Sequence, residues 1–491
     1  MERHTEKILC VLSSVSQNLL GSGPSGLWSF LILKFICAKA NFFYFITSMK
    51  ASIIKKFFFK SFLLIFLSAQ LAPAQESGGR LIVERIEILG ARKTKPRVIH
   101  RYLSFQEGDS FTPELVEHDY QALVTTNFFK RVEFSTKPGS AKGKVIVVIE
   151  VQERSAPTLE FAGGYSELDG WYVSPIGVRY DNLFGTGHRL GLRAILGDRV
   201  GGFNFRYYQP EIFNRNMNVQ VDFDALGRNL IHYFDGREAI QKVSTGSLRL
   251  SISGARGVAR YFSAGYQASN IEPDSTAKFT LNDSTLISFP AIVAKNLGRK
   301  KMGMFWLRVQ ADTRDNVFFP RQGFWGALSV EAADRNFGGD LQFTRTIFDG
   351  RFYKKLGSGV LAVRLKTATT SKTTPYYERF YLGGVYSLRG FAERSLTPLG
   401  YGTRLFLGNL EWRVPLAGSD PQKPGLIGAI FLDAGSIGTP STERDEDETF
   451  SAIGFGFRWK VPVVGLLRFD FAYPKQRPDD FRFHLGIGHP F

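Results

Sequence analysis

Cysteine is nearly missing from this 491-residue sequence: its two copies, Cys10 and Cys37, both lie in the first 37 residues. With the export signal described below removed, no disulfide and no thiolate metal site is available to hold the remainder together. Also missing after residue 74 is any apolar run approaching the ~18 residues of a membrane-crossing helix. Any span of a membrane therefore has to be built from strands. No G-x-S-x-G or H-E-x-x-H pattern occurs there, and the seven histidines have no ligand-like spacing. The expectation is no catalytic residue, no metal and no cofactor. Gly21-Ser22-Gly23-Pro24-Ser25-Gly26 fits G-x-G-x-x-G but follows no strand pattern, the context a phosphate-binding loop requires. The acidic run Glu443, Asp445, Glu446, Asp447 and Glu448 reads as a solvated loop.

Basic charge is in excess, at a formal +17. Residues 1–74 hold eight Lys and Arg against two Asp and Glu, which leaves +11 on residues 75–491. Lys50, Lys55, Lys56 and Lys60 form a basic head, Ser61 to Leu71 an apolar stretch, and Ala72-Pro73-Ala74 a small-x-small cleavage site. That is a complete secretory signal over residues 49–74. Translation is accordingly expected to start at Met49, making residues 1–48 a misassigned extension. The competing membrane anchor, Leu27 to Ile46, is interrupted by Lys34 and Lys39. An exported protein seldom meets nucleic acid, so the basic balance is not read as a nucleic-acid surface.

After a short linker, 75–79, residues 80–154 read as one small α+β domain of order β-α-α-β-β. Leu81 to Gly90 alternates like a strand, Pro96 suits the first turn of a helix carrying Val98, Ile99 and Tyr102, and Gly108-Asp109 makes a turn. Thr112-Pro113-Glu114 opens a second helix with Leu115, Tyr120 and Leu123 on one side. Lys130 to Thr136 and Lys144 to Val151 form two further strands.

Residues 155–491 are different: short alternating segments separated by Gly, Asn, Asp and Pro, in a chain with 45 Phe, 18 Tyr and 50 Gly. Phe481, Phe483, Leu485, Ile487 and Phe491 share one parity, and Arg482, His484, Gly486 and Gly488 the other. A strand puts these sets on opposite faces, as in a lipid-facing strand of a closed barrel. Sixteen such segments can be placed between Pro157 and Phe491, with long external connections at 228–244, 271–301, 370–402 and 437–449. The strand-like run Leu286 to Ala294 is read as part of a loop. The fold class is therefore mostly β: a 16-stranded transmembrane β-barrel over 155–491 preceded by one small α+β domain. Charge facing lipid near mid-membrane costs ~2–4 kcal/mol, so Glu411 and Asp433, which alternate with apolar neighbours, are expected to face the lumen.

Several stretches are more specific than their periodicity. ILGARKTKPRVI, EGDSFTPELVEHD, LVTTNFFKRVEF and VIVVIEVQER resemble a POTRA domain, a periplasmic module found here once. YDNLFGTGHRL (180–190), DTRDNVFFPRQGF (312–324), FYLGGVYSLRGF (380–391), LGNLEWRVPL (407–416), AIFLDAG (429–435) and GFGFRWKVPVVGLLRFDFAYP (454–474) resemble, in that order, the surface-antigen or BamA/TamA superfamily of outer-membrane assembly and translocation factors. The resemblance implies a loop, Ser387-Leu388-Arg389-Gly390-Phe391, that folds into the barrel and places Arg389 on Glu411, Asp433 or both. It also implies an outer-membrane location with the module in the periplasm, one barrel per chain, and unfolded outer-membrane or secreted polypeptides as partners beside membrane lipid. Periplasmic or lipoprotein partners stay open. The implied function is non-enzymatic: insertion of barrel proteins into, or passage of polypeptides across, the outer membrane, with clients captured by strand addition to the module. The seam between first and last strands, weakened by Gly163, Gly164, Gly486, Gly488 and Pro490, is the expected route. The alternative is a passive or substrate-selective pore.

Overall fold

The computed structural model describes residues 81–491 apart from 167–168, 211, 213–216, 257–259, 280–285, 318, 400, 419–423, 439–447, 462–464, 477–479, 488 and 490. The expected extension and linker, the cleavage residues Ala72 and Ala74, the acidic run up to Asp447, and Gly488 and Pro490 lie outside the described residues.

The N-terminal module contains β1 (Leu81–Leu89), α1 (Pro96–His100), β2 (Ser110–Phe111), α2 (Pro113–Thr125), β3 (Phe129–Pro138) and β4 (Lys144–Glu153). Its sheet runs β2-β1-β4-β3, with β1 and β4 parallel and β3 antiparallel to β4. The inward parity of β1 and β4 supplies Val83, Val147 and Ile149, which pack on Val98 and Ile99 of α1 and Leu123 of α2. Three details differ from the sequence reading. β2 is a fourth strand, two residues long, too short to leave a periodic signal. Thr112 has the extended backbone of a cap but makes no side-chain cap bond. Tyr102 falls past the end of α1. The buried Asp119 accepts from the Ser104 amide at 2.7 Å, fastening α2 to the segment before it.

The remaining strands close a barrel: β5 (Thr158–Ser166), β6 (Gly170–Leu183), β7 (His188–Gly197), β8 (Val200–Gln209), β9 (Met217–Phe234), β10 (Arg237–Arg256) and β11 (Arg260–Pro273). Two three-residue strands, β12 (Thr276–Lys278) and β13 (Leu286–Ser288), then pair with each other in a loop. The wall continues with β14 (Lys300–Asp312), β15 (Gly323–Ala333), β16 (Phe343–Leu356), β17 (Gly359–Thr370), β18 (Arg404–Ala417), β19 (Leu426–Gly438), β20 (Thr449–Val461), β21 (Gly465–Pro474) and β22 (Arg482–Ile487). Sixteen of these strands make the cylinder, each antiparallel to the next in sequence, and β22 lies beside β5 to close it. The run Leu286 to Ala294 is loop structure, holding β13 and the short α3 (Ala291–Ala294). Residues 228–244 are not a loop. β9 and β10 pair without a break up to Phe234 and Arg237, around Asp235-Gly236, both with positive φ. An Asp-Gly pair between alternating segments is a strong hairpin signal, and here it marks the tip of a continuous β9–β10 hairpin instead of a long loop.

That long hairpin, the β12–β13 insertion and the β17–β18 loop share an apolar core. Val243, Ile271, Phe289, Val293, Met302, Tyr376 and Tyr401 belong to it. Tyr376 donates to Gln241 at 2.8 Å and Tyr401 to the Ile231 carbonyl at 2.6 Å. The mouth on that side is thus roofed by packed structure.

The opposite end carries the module. The β6–β7 turn reaches it through the Lys95 amide, which donates to the Gly185 carbonyl at 2.9 Å, and through Asn182, whose amide donates to Thr94 Oγ1 at 2.8 Å. Asn127 bonds Asp181 at 3.0 Å. Glu153 braces the receiving loop by accepting from the Lys93 and Thr94 amides. Burial pushes its carboxyl up, but those hydrogen bonds outweigh it and hold the group below the ordinary carboxylate value. Gly185 sits at φ 67°, where a Cβ would stand 1.8 Å from the Lys93 carbonyl oxygen. Gly185→Val should therefore undock the module while the barrel persists. Limited proteolysis between module and barrel is expected to quicken roughly tenfold, as a strained contact of 1–3 kcal/mol implies, with the heat-modifiable barrel band retained on gels. Unchanged cleavage would show that the turn does not carry the docking.

Candidate functional site

Outward positions on the last strands are apolar, among them Phe455, Phe457 and Trp459 on β20 and Phe483 on β22, all exposed. Their alternates point inward, and on β18 to β22 these include the charged Glu411, Arg413, Asp433, Arg458, Arg468 and Asp470 and the imidazole of His484, every one buried. Into this cluster comes the loop joining β17 to β18, residues 371–403, from the roofed end.

Arg389 is 1% exposed, and Glu411 and Asp433 are 0%. Its Nε and Nη2 donate to the two oxygens of Asp433 at 2.6 and 2.8 Å, and its main-chain amide adds a third bond at 3.2 Å. Nη1 donates to Glu411 and, at 3.3 Å, to Asp470. The guanidinium lies 3.4 Å from the centre of the Phe431 ring, so one planar group meets three carboxylates and an aromatic face. Such forked, directed pairing is what arginine offers and lysine does not.

The loop's shape explains the neighbouring motif residues. Gly390 has φ 90°, and a Cβ there would press on Ala452 and Pro474 at 3.0 and 3.4 Å. Its amide donates to His484 Nε2 at 2.9 Å. Leu388 is buried among Leu382, Leu405 and Leu407, and Phe391 packs edge-on against Phe450 at 5.8 Å. Ser387 Oγ accepts from the Gly383 amide at 3.0 Å, while its carbonyl accepts from Asn409 at 3.0 Å. All five motif residues thus shape or fill the same turn.

Four members of the cluster, Arg413, Arg458, Arg468 and Asp470, were not singled out from sequence. Arg458 bridges Glu411 and Asp470 at 3.0 and 2.7 Å, and Arg468 lies 3.3 Å from Asp470 while donating to the Val385 carbonyl at 3.1 Å. Arg413, whose parity is plain, holds the second oxygen of Glu411 at 2.7 Å. The same alternation would have found Arg458, Arg468 and Asp470, since each sits between exposed or half-exposed apolar residues.

The seam residues divide. A side chain on Gly486 would stand 2.9 Å from Arg468 Nη2, so lumen packing already accounts for that glycine. Gly163 and Gly164 follow a register shift in β5, and a Cβ on Gly164 would meet Ile487 Cδ1 across the seam at 2.9 Å. Among the described residues β22 is the shortest of the sixteen at six residues, and the Ile487 carbonyl accepts from Tyr386 of the lumen loop at 3.2 Å. Phe483, Leu485 and Ile487 keep the outward or half-exposed positions expected of them. Phe491 departs from that face: it is 6% exposed, packed with Tyr353 and Ala362, with the Arg413 guanidinium 4.9 Å from its ring centre. Strand alternation stops with β22 at Ile487, so parity cannot be carried on to residue 491.

Comparison with known proteins adds the context. A family model described as the Omp85 superfamily domain matches residues 182–491, and one for POTRA, described as a surface antigen variable number repeat, matches 81–154. The chain is similar to the outer membrane protein assembly factor BamA of Nitratidesulfovibrio vulgaris, 24% identical over 423 residues that cover 83% of this chain and 50% of that one. It is also similar to BamA of Neisseria meningitidis serogroup B, 24% identical over 477 residues covering 84% and 57%. The chain thus spans about half the length of these curated relatives. Among solved structures, BamA from Haemophilus ducreyi lacking POTRA domains 1–3 superposes with a TM-score of 0.60 at 19% identity, covering 84% of each chain. CdiB from Acinetobacter baumannii gives 0.50 at 16%, covering 84% of this chain and 74% of that one.

Breaking one side of a buried ion pair leaves an uncompensated charge and costs ~3–5 kcal/mol. Arg389→Ala is expected to lower the unfolding temperature of the folded barrel in detergent and to expose the 371–403 loop to protease. Arg389→Lys, which cannot fork, should recover only part of the loss. Wild-type protection of the loop in Arg389→Ala would remove it as the anchor.

Proposed function

Because this chain belongs to the Omp85 superfamily of outer-membrane proteins, we propose that it is a non-enzymatic machine that inserts barrel proteins into the outer membrane or passes polypeptides across it. The relatives carrying 50% and 57% coverage are named for assembly of outer-membrane proteins, and that activity is brought here as a proposal. The single observation that carries it is the pairing of an open strand edge with a short seam in one chain.

The edge belongs to β3. β4 lies between β1 and β3, and β1 is flanked by β2 at Leu81 and Ile82 and capped farther on, where its Ile86 amide donates to Glu107 at 3.1 Å. β3 has no strand on its outer side among the described residues. An unfolded client could add there through main-chain hydrogen bonds, which demand little of its sequence. The second element is the β5–β22 seam, where the last strand is short and one of its carbonyls is engaged by Tyr386 rather than left to the ladder alone. An edge so weakly held can template another strand.

A passive pore fits less well. The lumen is occupied by the 371–403 loop on its buried ion cluster, and the far mouth is roofed by the apolar core around Tyr376 and Tyr401.

Three measurements test this reading. Depletion should lower the levels of folded outer-membrane or surface polypeptides in the outer-membrane proteome. A disulfide between Gly164→Cys and Ile487→Cys should reproduce the depletion phenotype and be relieved by reductant. Depletion without any change in that proteome, together with single-channel conductance indifferent to loss of Arg389, would overturn the proposal in favour of a pore.

A further inference from the structure

A further feature lies on the outer wall of the barrel, away from the β5–β22 seam. Outward positions of β8 to β14 form layers fixed by the strand register. In one layer Phe205, Phe223 and Leu248 are neighbours, and in the next Phe203, Ala225, Gly246, Asn270 and Lys301. One step farther toward the roofed end come Gly201, Gly227, Ser244 and Glu272, then Asn229 and Lys242. The wall thus passes from large apolar side chains to small ones and then to polar and charged ones, in which Lys242, Lys301, Arg199 and Arg299 outnumber the carboxylates Asp198 and Glu272. Where the side chains are small it opens a concavity of about 1100 Å³, with Lys242, Lys301 and Arg299 along its border.

Gly246 would meet nothing within 4 Å if it carried a Cβ, and at Gly201 and Gly227 the nearest atoms would be 3.9 and 3.4 Å away. None of the three has positive φ. Neither backbone conformation nor close approach explains the absent side chains, which weaken a strand. What their absence provides is room. The atom nearest a side chain on Gly227 is Lys242 Cε, so that lysine's stem lies along the hollow. Glu272 is neutralised by a forked pair with Arg299 at 2.9 and 2.7 Å. The ammonium groups of Lys242 and Lys301 make no ion pair among the described residues, and both residues are exposed.

The depth of the hollow selects its occupant. Below it, toward the module, Leu248, Leu250, Ile252 and Phe262 are exposed apolar residues, and the six steps from Leu248 to Gly254 span ~20 Å of strand. The hollow therefore stands at the outer-leaflet border of the apolar band. Acyl chains fit the wall beneath it, and anionic headgroups meet its lysines. We propose that this concavity binds the phosphorylated headgroup of an outer-leaflet lipid, held by Lys242 and Lys301 over the floor left open by Gly246.

The full chain in neutral detergent micelles can be titrated with a bis-phosphorylated glucosamine-disaccharide lipid, its dephosphorylated counterpart and inorganic phosphate. Bound lipid is counted by native mass spectrometry. The phosphorylated lipid should be retained selectively. Lys242→Gln with Lys301→Gln should weaken it roughly tenfold or more, and Gly246→Leu, which fills the hollow without touching a charge, should weaken it as well. Lys354→Gln with Lys355→Gln, an exposed pair on another strand, should not. All three variants are expected to keep the heat-modifiable band, which separates loss of binding from loss of fold. Equal retention of the dephosphorylated lipid, displacement by inorganic phosphate at matching concentration, or unchanged binding in both site variants would overturn the proposal. A dimer that Gly246→Leu abolishes would assign the hollow to a second copy of this chain instead. None of these readouts depends on client insertion, so failure here leaves the function proposed above untouched.

Discussion

Hydrocarbon offers no partner for a peptide N–H or C=O, so a chain without a long apolar helix can cross it only as strands that close on themselves. Everything else in the barrel follows from that closure. Alternation along each strand sends one set of side chains to lipid and the other to the interior. On β20 the outward set is Ile453, Phe455, Phe457 and Trp459, and the inward set is Gly454, Gly456 and Arg458. Excluded from the lipid face, the charges of four consecutive strands, β18 to β21, converge on a small inner volume, where their mutual satisfaction becomes the local problem to be solved.

The solution uses a fourth guanidinium delivered from outside. Arg413, Arg458 and Arg468 from the wall, together with Arg389 from the loop, surround Glu411, Asp433 and Asp470. Desolvation offsets much of the attraction in such a cluster, so its worth lies less in net stability than in admitting one loop conformation. That conformation has reach. The loop touches β22 through Gly390 to His484 and Tyr386 to Ile487, and it touches the roof through Tyr376 and Tyr401. Lumen, mouth and seam are thereby joined by one segment.

At the other end, the module is joined to the barrel by hydrogen bonds to the β6–β7 turn and the strand ends beside it, with the Arg189 guanidinium 5.8 Å from the centre of the Phe128 ring. Asp181 and Asn182 at the end of β6 and Gly185 of the turn each have a partner in the module. The family-like stretch YDNLFGTG thus supplies contacts between the module and the first strands of the barrel.

Much of this was legible in the chain. Period-two alternation located all sixteen spans, because one buried and one lipid-facing side impose that pattern on every strand. It also placed Glu411 and Asp433 inward, and a charge in hydrocarbon is costly enough to make that reading firm. Contact was another matter. That Arg389 lies on both carboxylates, with Asp470 and Phe431 completing its surroundings, depends on a loop crossing between strands distant in sequence, and spacing along the chain carries no such distance. Short elements were lost for a related reason: β2 has two residues, too few to show a period. The inward turn of Phe491 escaped because alternation ends with its strand. Local sequence determined which face each residue prefers, since that preference is a property of a strand in lipid. Only closure of the cylinder decided which inward residues meet, because register and curvature belong to the whole sheet.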